Sequence, residues 1–479
     1  MSNYSVIEGL EPQRVLRYFC DISEIPRAPG KQEKISQFIV DFAEKLGLEY
    51  HQDEYLNVIV RKPASLGYEN SPSVMLQAHL DMVCEKDSDV EHDFDKDSIR
   101  IQKKGDHIYA RGTTLGADNG VGVAYMMAIL ADKFLKHPPL EAVFTTDEET
   151  DMGGAFNLDY DKIKSRRIIN LDEGAIKVCH PGTLMIEMTF PKNTVKRQDK
   201  KLCYRIEVSG LMGGHTGQNA MAERGNAVVL LNRLLVGIDK KIANELISIH
   251  GGFGTPSAFA RDAHALILID DGNRVELENI VKEFKRVYKK ELKIKDPKVQ
   301  ITMEQIDSDL NPLDKKTADT LKKLILILPD GVFSLNKHYP DRFESSSNIG
   351  VVRTQEDQIY LSMLIRSTNA GKKYYLYDKV VALCSILGVS HNIGRDLPHW
   401  EESHDEQMMN IIKKVYPDTK PDMSNCTLEC GIFAQNLPQA SIVVLGPPYY
   451  NAHSPNEYFS ISETQYYWNK LLKVLENLK

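Results

Sequence analysis

Two histidines and a set of carboxylates, spread over five short segments, carry the clearest chemistry of this chain. The first segment is Gln77-Ala78-His79-Leu80-Asp81-Met82-Val83. In an extended strand His79 and Asp81 point to the same side. Asp81 could then hold the second ring nitrogen of a metal-binding His79 and fix its tautomer; a structural His–Asp hydrogen bond is the other reading. The second segment, Thr114-Leu115-Gly116-Ala117-Asp118-Asn119-Gly120, sets Asp118 among glycines just before a helix, either as a metal ligand or as a helix N-cap. The third, Thr145-Thr146-Asp147-Glu148-Glu149-Thr150, runs three carboxylates together at a strand end. Like charges so close are costly unless cations sit between them or water screens them in a solvated acidic loop. The fourth, Ile169-Asn170-Leu171-Asp172-Glu173-Gly174, adds Asp172, and the fifth, Asn451-Ala452-His453-Ser454-Pro455-Asn456-Glu457, adds His453.

Each segment alone is weak, but their joint order is specific. Two histidines with three or four carboxylates make a co-catalytic metal site. Hard carboxylates mixed with imidazoles suit zinc, manganese or cobalt, and the lack of thiolates argues against iron–sulfur or structural zinc. The seven cysteines are scattered and odd in number. Cys426 and Cys430 have a C-x3-C spacing with no second pair, so reduced core thiols of a cytosolic protein are the better reading.

The elements that must position these residues are legible from periodicity. Ile35, Phe38, Ile39, Phe42, Ala43 and Leu46 repeat at helical spacing and predict a helix from about Gln32 to Leu46. Val74 to Ala78 reads as a buried strand running into His79. Val121 to Leu135 reads as a helix. Glu141 to Thr146, Ile168 to Leu171 and Ser441 to Leu445 read as strands, and Gln465 to Leu478 as a helix with Trp468, Leu471, Leu472 and Leu475 on one face. Strands alternating with helices imply an α/β sheet with helices on both faces. In such sheets ligands bind at the strand ends and following loops, where the five segments fall. From about Thr189 to Arg395 the texture changes: strands such as Leu202 to Val208 and Ala265 to Ile269 alternate with charged helices such as Val281 to Leu292. The expected organisation is a catalytic α/β domain (residues 1–188 and 396–479) interrupted by an α+β domain (189–395).

Composition narrows the function classes. A chain of 479 residues with 42% hydrophobic residues can bury sizeable cores over two or three domains. A net charge of −8 gives no general pull toward nucleic acid or anionic lipid, so neither is an expected partner and a small peptide or other small molecule fits better. Met1 to Val15 has no apolar core of a signal peptide. The longest uncharged apolar run, around Val121 to Ala131, falls short of the ~20 residues that span a bilayer. The expectation is a cytoplasmic protein.

Taken together, the segments resemble the M20 metallopeptidase family, and within it the aminoacyl-histidine (Xaa-His) dipeptidase branch. The resemblance runs through nearly the whole chain, including Gly213-Gly214-His215-Thr216-Gly217, Arg224-Gly225-Asn226-Ala227, Ser346-Ser347-Asn348, Leu428-Glu429-Cys430-Gly431 and Ala452-His453-Ser454-Pro455. It implies a di-metal catalytic domain, a mixed sheet flanked by helices, with an inserted lid and dimerisation domain. It implies that His79 and Asp172 bind one metal, that Glu149 and His453 bind the other, and that Asp118 bridges both, with a cis peptide bond to Asn119. By the same resemblance Asp81 orients His79, Glu148 is the general base, and His215 reaches the substrate carbonyl, in a homodimer either from the same chain or from its partner. Arg366 is a candidate for the substrate carboxylate, because a guanidinium forks onto a carboxylate, with a structural salt bridge as the alternative.

Two segments depart from the family pattern. Asn425-Cys426-Thr427 stands where His-Ala-Gly is usual, and Ser257-Ala258-Phe259-Ala260 where Asn-Ala-Ile-Pro is usual. Neither supplies a metal ligand, but both bear on the substrate pocket, so the reaction is better specified than the preference for a C-terminal histidine. The rival enzyme readings are a tripeptide aminopeptidase and an N-acyl amino acid deacylase. A peptidase-like binding module without catalysis would be expected to lose ligands or the base, and all are present.

Overall fold

The computed structural model describes residues 2–198, 200–402 and 405–479; Met1, Asp199, Ser403 and His404 lie outside them. The chain forms two compact units. The first comprises Met1–His180, Trp400–Ser424 and Leu428–Lys479, and the second Pro181–His399 and Asn425–Thr427.

The first unit is built on a mixed eight-stranded sheet. Its order is Glu49–Gln52, Val58–Lys62, Leu140–Thr145, Val74–His79, Arg167–Gly174, Ser441–Gly446, Lys177–Cys179 and Asp422–Met423. Val74–His79 pairs in parallel with both Leu140–Thr145 and Arg167–Gly174, and Ser441–Gly446 pairs in parallel with Arg167–Gly174. Every residue of Val74–His79, Leu140–Thr145 and Ser441–Gly446 is buried. Such continuous apolar runs are what strands covered on both faces require. Helices Gln13–Ser23 and Ala117–Ala131 pack on each other, and the second of them lies against the central strands. Glu33–Leu46 covers the antiparallel edge and ends on Gly47 in the left-handed region, whose N–H bonds back to Ala43 and Glu44.

The helix expected from Val121 to Leu135 is displaced toward the N-terminus, to Ala117–Ala131. Asp132 stops it: its backbone is extended and its carboxylate accepts the N–H groups of Phe134 and Leu135, forming a local turn that competes with helix. The helix is apolar all round because it is buried all round, which leaves no amphipathic stripe to mark its ends.

The second unit is an antiparallel sheet of nine strands. Gln300–Ile306, Leu202–Ser209, Ala263–Ile269, Asn244–Gly251, Phe343–Thr354, Gln358–Ser367, Gly182–Pro191 and Ser390–Leu397 follow one another, and Gly331–Leu335 pairs off this path with Phe343–Thr354. Alternate residues point one way, so Leu184, Ile186, Met188 and Phe190 enter one core. Helices Ala227–Asp239, Arg274–Glu291, Lys315–Ile327 and Ala370–Leu387 close that core with Leu231, Leu277, Leu321 and Val380. The Arg274–Glu291 helix begins earlier than the Val281 start read from sequence; its first two turns mix Arg274, Glu276 and Glu278 with the exposed Val275 and the inward Leu277 and Ile280.

Candidate metal centre

Parallel pairing brings the C-terminal ends of three neighbouring strands to one edge of the sheet, and a fourth joins them there. His79 ends the first, Asp147 to Glu149 follow the second, Asp172 lies near the end of the third, and His453 is in the loop after Ser441–Gly446. Asp118 arrives from the first turn of the buried Ala117–Ala131 helix. The peptide between Asp118 and Asn119 is cis, in line with the expectation from sequence.

These side chains meet. His79 Nε2 lies 3.1 Å from Asp118 Oδ1 and 3.5 Å from Asp172 Oδ1. His453 Nε2 lies 3.3 Å from Asp118 Oδ2 and 3.0 Å from Glu149 Oε2. The two oxygens of Asp118 therefore face different imidazoles. Three overlapping groups each bring ligand atoms within 4.8 Å of one another: His79 with Asp118 and Asp172, Asp118 with Glu149 and His453, and His79 with Glu148 and Glu149. His79 Nδ1 is 3.3 Å from Asp81 Oδ1. Asp81 does more than face His79: its Oδ1 accepts the Glu148 N–H at 3.2 Å and its Oδ2 the Glu149 N–H at 3.1 Å. One carboxylate thus sets a histidine and both glutamates.

The electrostatics show a site short of positive charge. Burial, reinforced by the neighbouring carboxylates of Asp172 and Glu149 against the pull of His79, pushes Glu148 well above the usual carboxyl range. Burial, then Asp118, raises Glu149 to about 7. Burial disfavours a charged His453, but the carboxylates of Asp118 and Glu149 outweigh it and push the imidazole up to about 11. Against its own burial, Asp118 is held low by the hydrogen bonds and charges of His453 and His79. Glu149 Oε1 is buried with no hydrogen-bond partner. The crowded carboxylates raise one another and the imidazoles, Glu149 Oε1 is a buried oxygen without a hydrogen-bond partner, and the donors are carboxylate and imidazole. This set fits divalent ions of the zinc, cobalt or manganese kind.

Two contributors were not read from sequence. Tyr449 donates its hydroxyl to the Asp172 carbonyl at 2.5 Å and lies 3.3 Å from Asp172 Oδ1. Glu429, in a motif quoted above without a role, is fully buried and accepts hydrogen bonds from Gln77 Nε2 at 2.5 Å and Thr145 Oγ1 at 2.8 Å. Gln77 in turn accepts from Asn170 Nδ2, and Asn170 Oδ1 accepts the Asp172 N–H. Burial pushes Glu429 up to about 8. The seven cysteines are thiols, and none of them is a member of the ligand groups.

His215 and Arg366 belong to the second unit, and they lie together. Arg366 Nη2 is 3.0 Å from His215 Nε2, and Arg366 Nε donates to Thr216 Oγ1 at 3.2 Å. Arg366 is 4% exposed, and burial lowers its pKa to about 10. Among the described residues no carboxylate forms an ion pair with it, so the salt-bridge alternative is absent there.

Known proteins carry the same architecture. The chain matches peptidase family M20/M25/M40 over residues 75–477. It is 31% identical over 482 residues to the cytosol non-specific dipeptidase of Escherichia coli (strain K12), covering 99% of each chain. The crystal structure of aminoacylhistidine dipeptidase from Vibrio alginolyticus superposes with a TM-score of 0.84 at 29% identity, covering 98% of this chain and 97% of that one. Aminopeptidase PepT from Bacillus cereus ATCC 10987 shares the fold at a TM-score of 0.55 and 14% identity, covering 98% of this chain and 99% of its own. The chain belongs to peptidase family M20, has the fold of that family, and is a peptidase. Among the described residues no helix is long and apolar enough to cross a membrane.

Proposed function

We propose that this chain hydrolyses dipeptides with two divalent metal ions, and that Xaa-His peptides such as β-Ala-His are among its substrates. Asp118 carries the two-metal reading, because its oxygens are shared between His79 and His453. The dipeptidase names of the Escherichia coli and Vibrio alginolyticus relatives support the substrate class. In this reading His79 and Asp172 would hold one ion, Glu149 and His453 the other, and Asp118 would serve both. The donor set would suit zinc first, with cobalt or manganese able to replace it. When bound, such ions bring the pKa of water near neutral and polarise a carbonyl. Glu148 takes the proton of the attacking water and delivers it to the leaving amine. Asp81 keeps His79 oriented. His215 donates to the carbonyl oxygen as negative charge develops there, and Arg366, which forms no ion pair among the described residues, forks onto the carboxylate of the peptide. The second unit serves as lid and dimerisation domain of a cytosolic homodimer.

The test is a chelated and reconstituted enzyme assayed on β-Ala-His, Ala-His, a tripeptide and N-acetylornithine. Chelation should abolish activity, zinc, cobalt or manganese should restore it, and the dipeptides should be the preferred substrates. Full activity in a demonstrably metal-free sample would overturn the metal mechanism. Preference for the tripeptide or N-acetylornithine would move the chain to an aminopeptidase or a deacylase.

A further inference from the structure

We infer that Arg27 and Glu457 form a charge clamp on the backbone of residues 115–118 and so position Asp118 between the two halves of the metal centre. The inference rests on reading Asp118 as the bridging ligand. Both side chains are buried, Arg27 at 2% and Glu457 at 1% exposed. Among the described residues neither forms a salt bridge. Their hydrogen bonds go to backbone instead. Arg27 Nη1 donates to the carbonyls of Leu80 at 2.9 Å and Asp81 at 3.0 Å, and Nη2 to the carbonyl of Gly116 at 2.6 Å. Glu457 Oε2 accepts the N–H groups of Leu115 at 2.7 Å and Gly116 at 2.9 Å, and Oε1 accepts that of Asp118 at 3.1 Å. A cation therefore holds the carbonyl of this segment and an anion holds its amides. Hydrogen bonds with one ionised partner are the stronger kind.

The chain is shaped around this arrangement. Gly116 is in the left-handed region (φ 69°), and a Cβ there would lie 2.3 Å from Arg27 Nη2; one on Gly120 would lie 2.8 Å from the same atom. Two glycines thus make the seat of the guanidinium. The clamp also connects the ligands. Arg27 ties Gly116 to the two residues that follow His79. Glu457, four residues after His453, ties that loop to the N–H of Asp118. Each side of the centre is set against the bridging carboxylate by one charged side chain, so Arg27 and Glu457 are positioning residues.

The experiment titrates metal-free parent, R27K and E457Q with cobalt(II) alone, following stoichiometry and the d–d spectrum, with thermal melting of each metal-free protein. In E457Q an amide NH2 must face a backbone N–H, and R27K cannot reach three carbonyls. Each should bind cobalt about 10–100-fold more weakly, with an altered spectrum and with kcat falling more than KM rises. The double variant should lose less than the product of the single losses, because both act through one segment. Parent-like cobalt affinity and spectrum in both single variants would overturn the clamp. If a variant fails to fold, amide exchange in the parent protein decides: the N–H groups of Leu115, Gly116 and Asp118 should open only with global unfolding, and fast, loop-like exchange would overturn the proposal. A parent that binds no cobalt would count against the two-metal reading itself, and the exchange result would still judge the clamp.

Discussion

Glu148 and Glu149 are neighbours in the chain with different surroundings. Glu149 reaches His453 at 3.0 Å, whereas Glu148 faces His79 and is in neither group that shares Asp118. Asp81 holds the N–H of each with a separate oxygen, so their directions are set together. Glu148→Ala should keep both metals and lose about 10²–10⁴ in kcat, the usual contribution of a general base. Glu149→Ala should lose metal. Metal analysis beside steady-state kinetics checks both, and metal lost from the Glu148 variant would mean that the two roles are exchanged. His215→Ala should lower kcat by about 10²–10³ with metal content unchanged, as for other oxyanion donors. Parent-like turnover on a good dipeptide would leave His215 a turn residue.

The element that sets the spacing of the centre is the Ala117–Ala131 helix. Gly122 is where it closes on the strand carrying Asp172: a Cβ there would lie 2.1 Å from Asn119 Oδ1 and 2.7 Å from the Leu171 carbonyl. Propensity alone would favour Gly122→Ala by up to about 1 kcal/mol. Overpacking of a close contact costs about 1–3 kcal/mol, and here one partner is strand backbone that cannot rotate away. The clash should win. The expected outcome is a lower melting temperature and weaker metal binding, since helix and strand must separate between Asp118 and Asp172. A more stable variant with parent-like metal affinity would show that the contact yields. The helix itself was found from sequence, but its start was not, because a wholly buried helix has no polar face and its chemistry-bearing first turn looks like a glycine loop.

For the whole molecule, stability should carry a pH signature from the second unit. Asp330 is exposed as a residue, but its Oδ1 accepts the Ile349 N–H at 2.9 Å and Asn226 Nδ2 at 3.3 Å, and the partial loss of water around its carboxyl raises its pKa to about 6. Between about pH 4 and 6 the folded chain keeps a proton that the unfolded chain releases. Stability therefore falls as pH rises through that window, by an amount that solvent screening of an exposed residue keeps small. Asp330→Asn keeps an acceptor and removes the charge. Its melting temperature, minus that of the parent, should rise from pH 4 to pH 7 and then level off. A pH-independent difference would mean that Asp330 ionises freely in the fold.

The order of the five segments, the strand-and-helix alternation and the peptidase class were legible in the sequence, because side-chain chemistry and hydrophobic periodicity are local properties of the chain. His79, Asp118, Glu148, Glu149, Asp172 and His453 announced themselves by residue type beside glycine or at a strand end. Tyr449, Glu429, Arg27 and Glu457 did not. Their partners are backbone groups and side chains tens to hundreds of residues away, such as the Leu115 N–H for Glu457 and Gln77 for Glu429. What a buried carboxylate or guanidinium does depends on which donors and acceptors the fold places around it. Asp81 shows the division within one residue: its spacing from His79 foretold one contact, and only the parallel sheet, by laying residues 147–149 beside it, added the two amides that make it a hub.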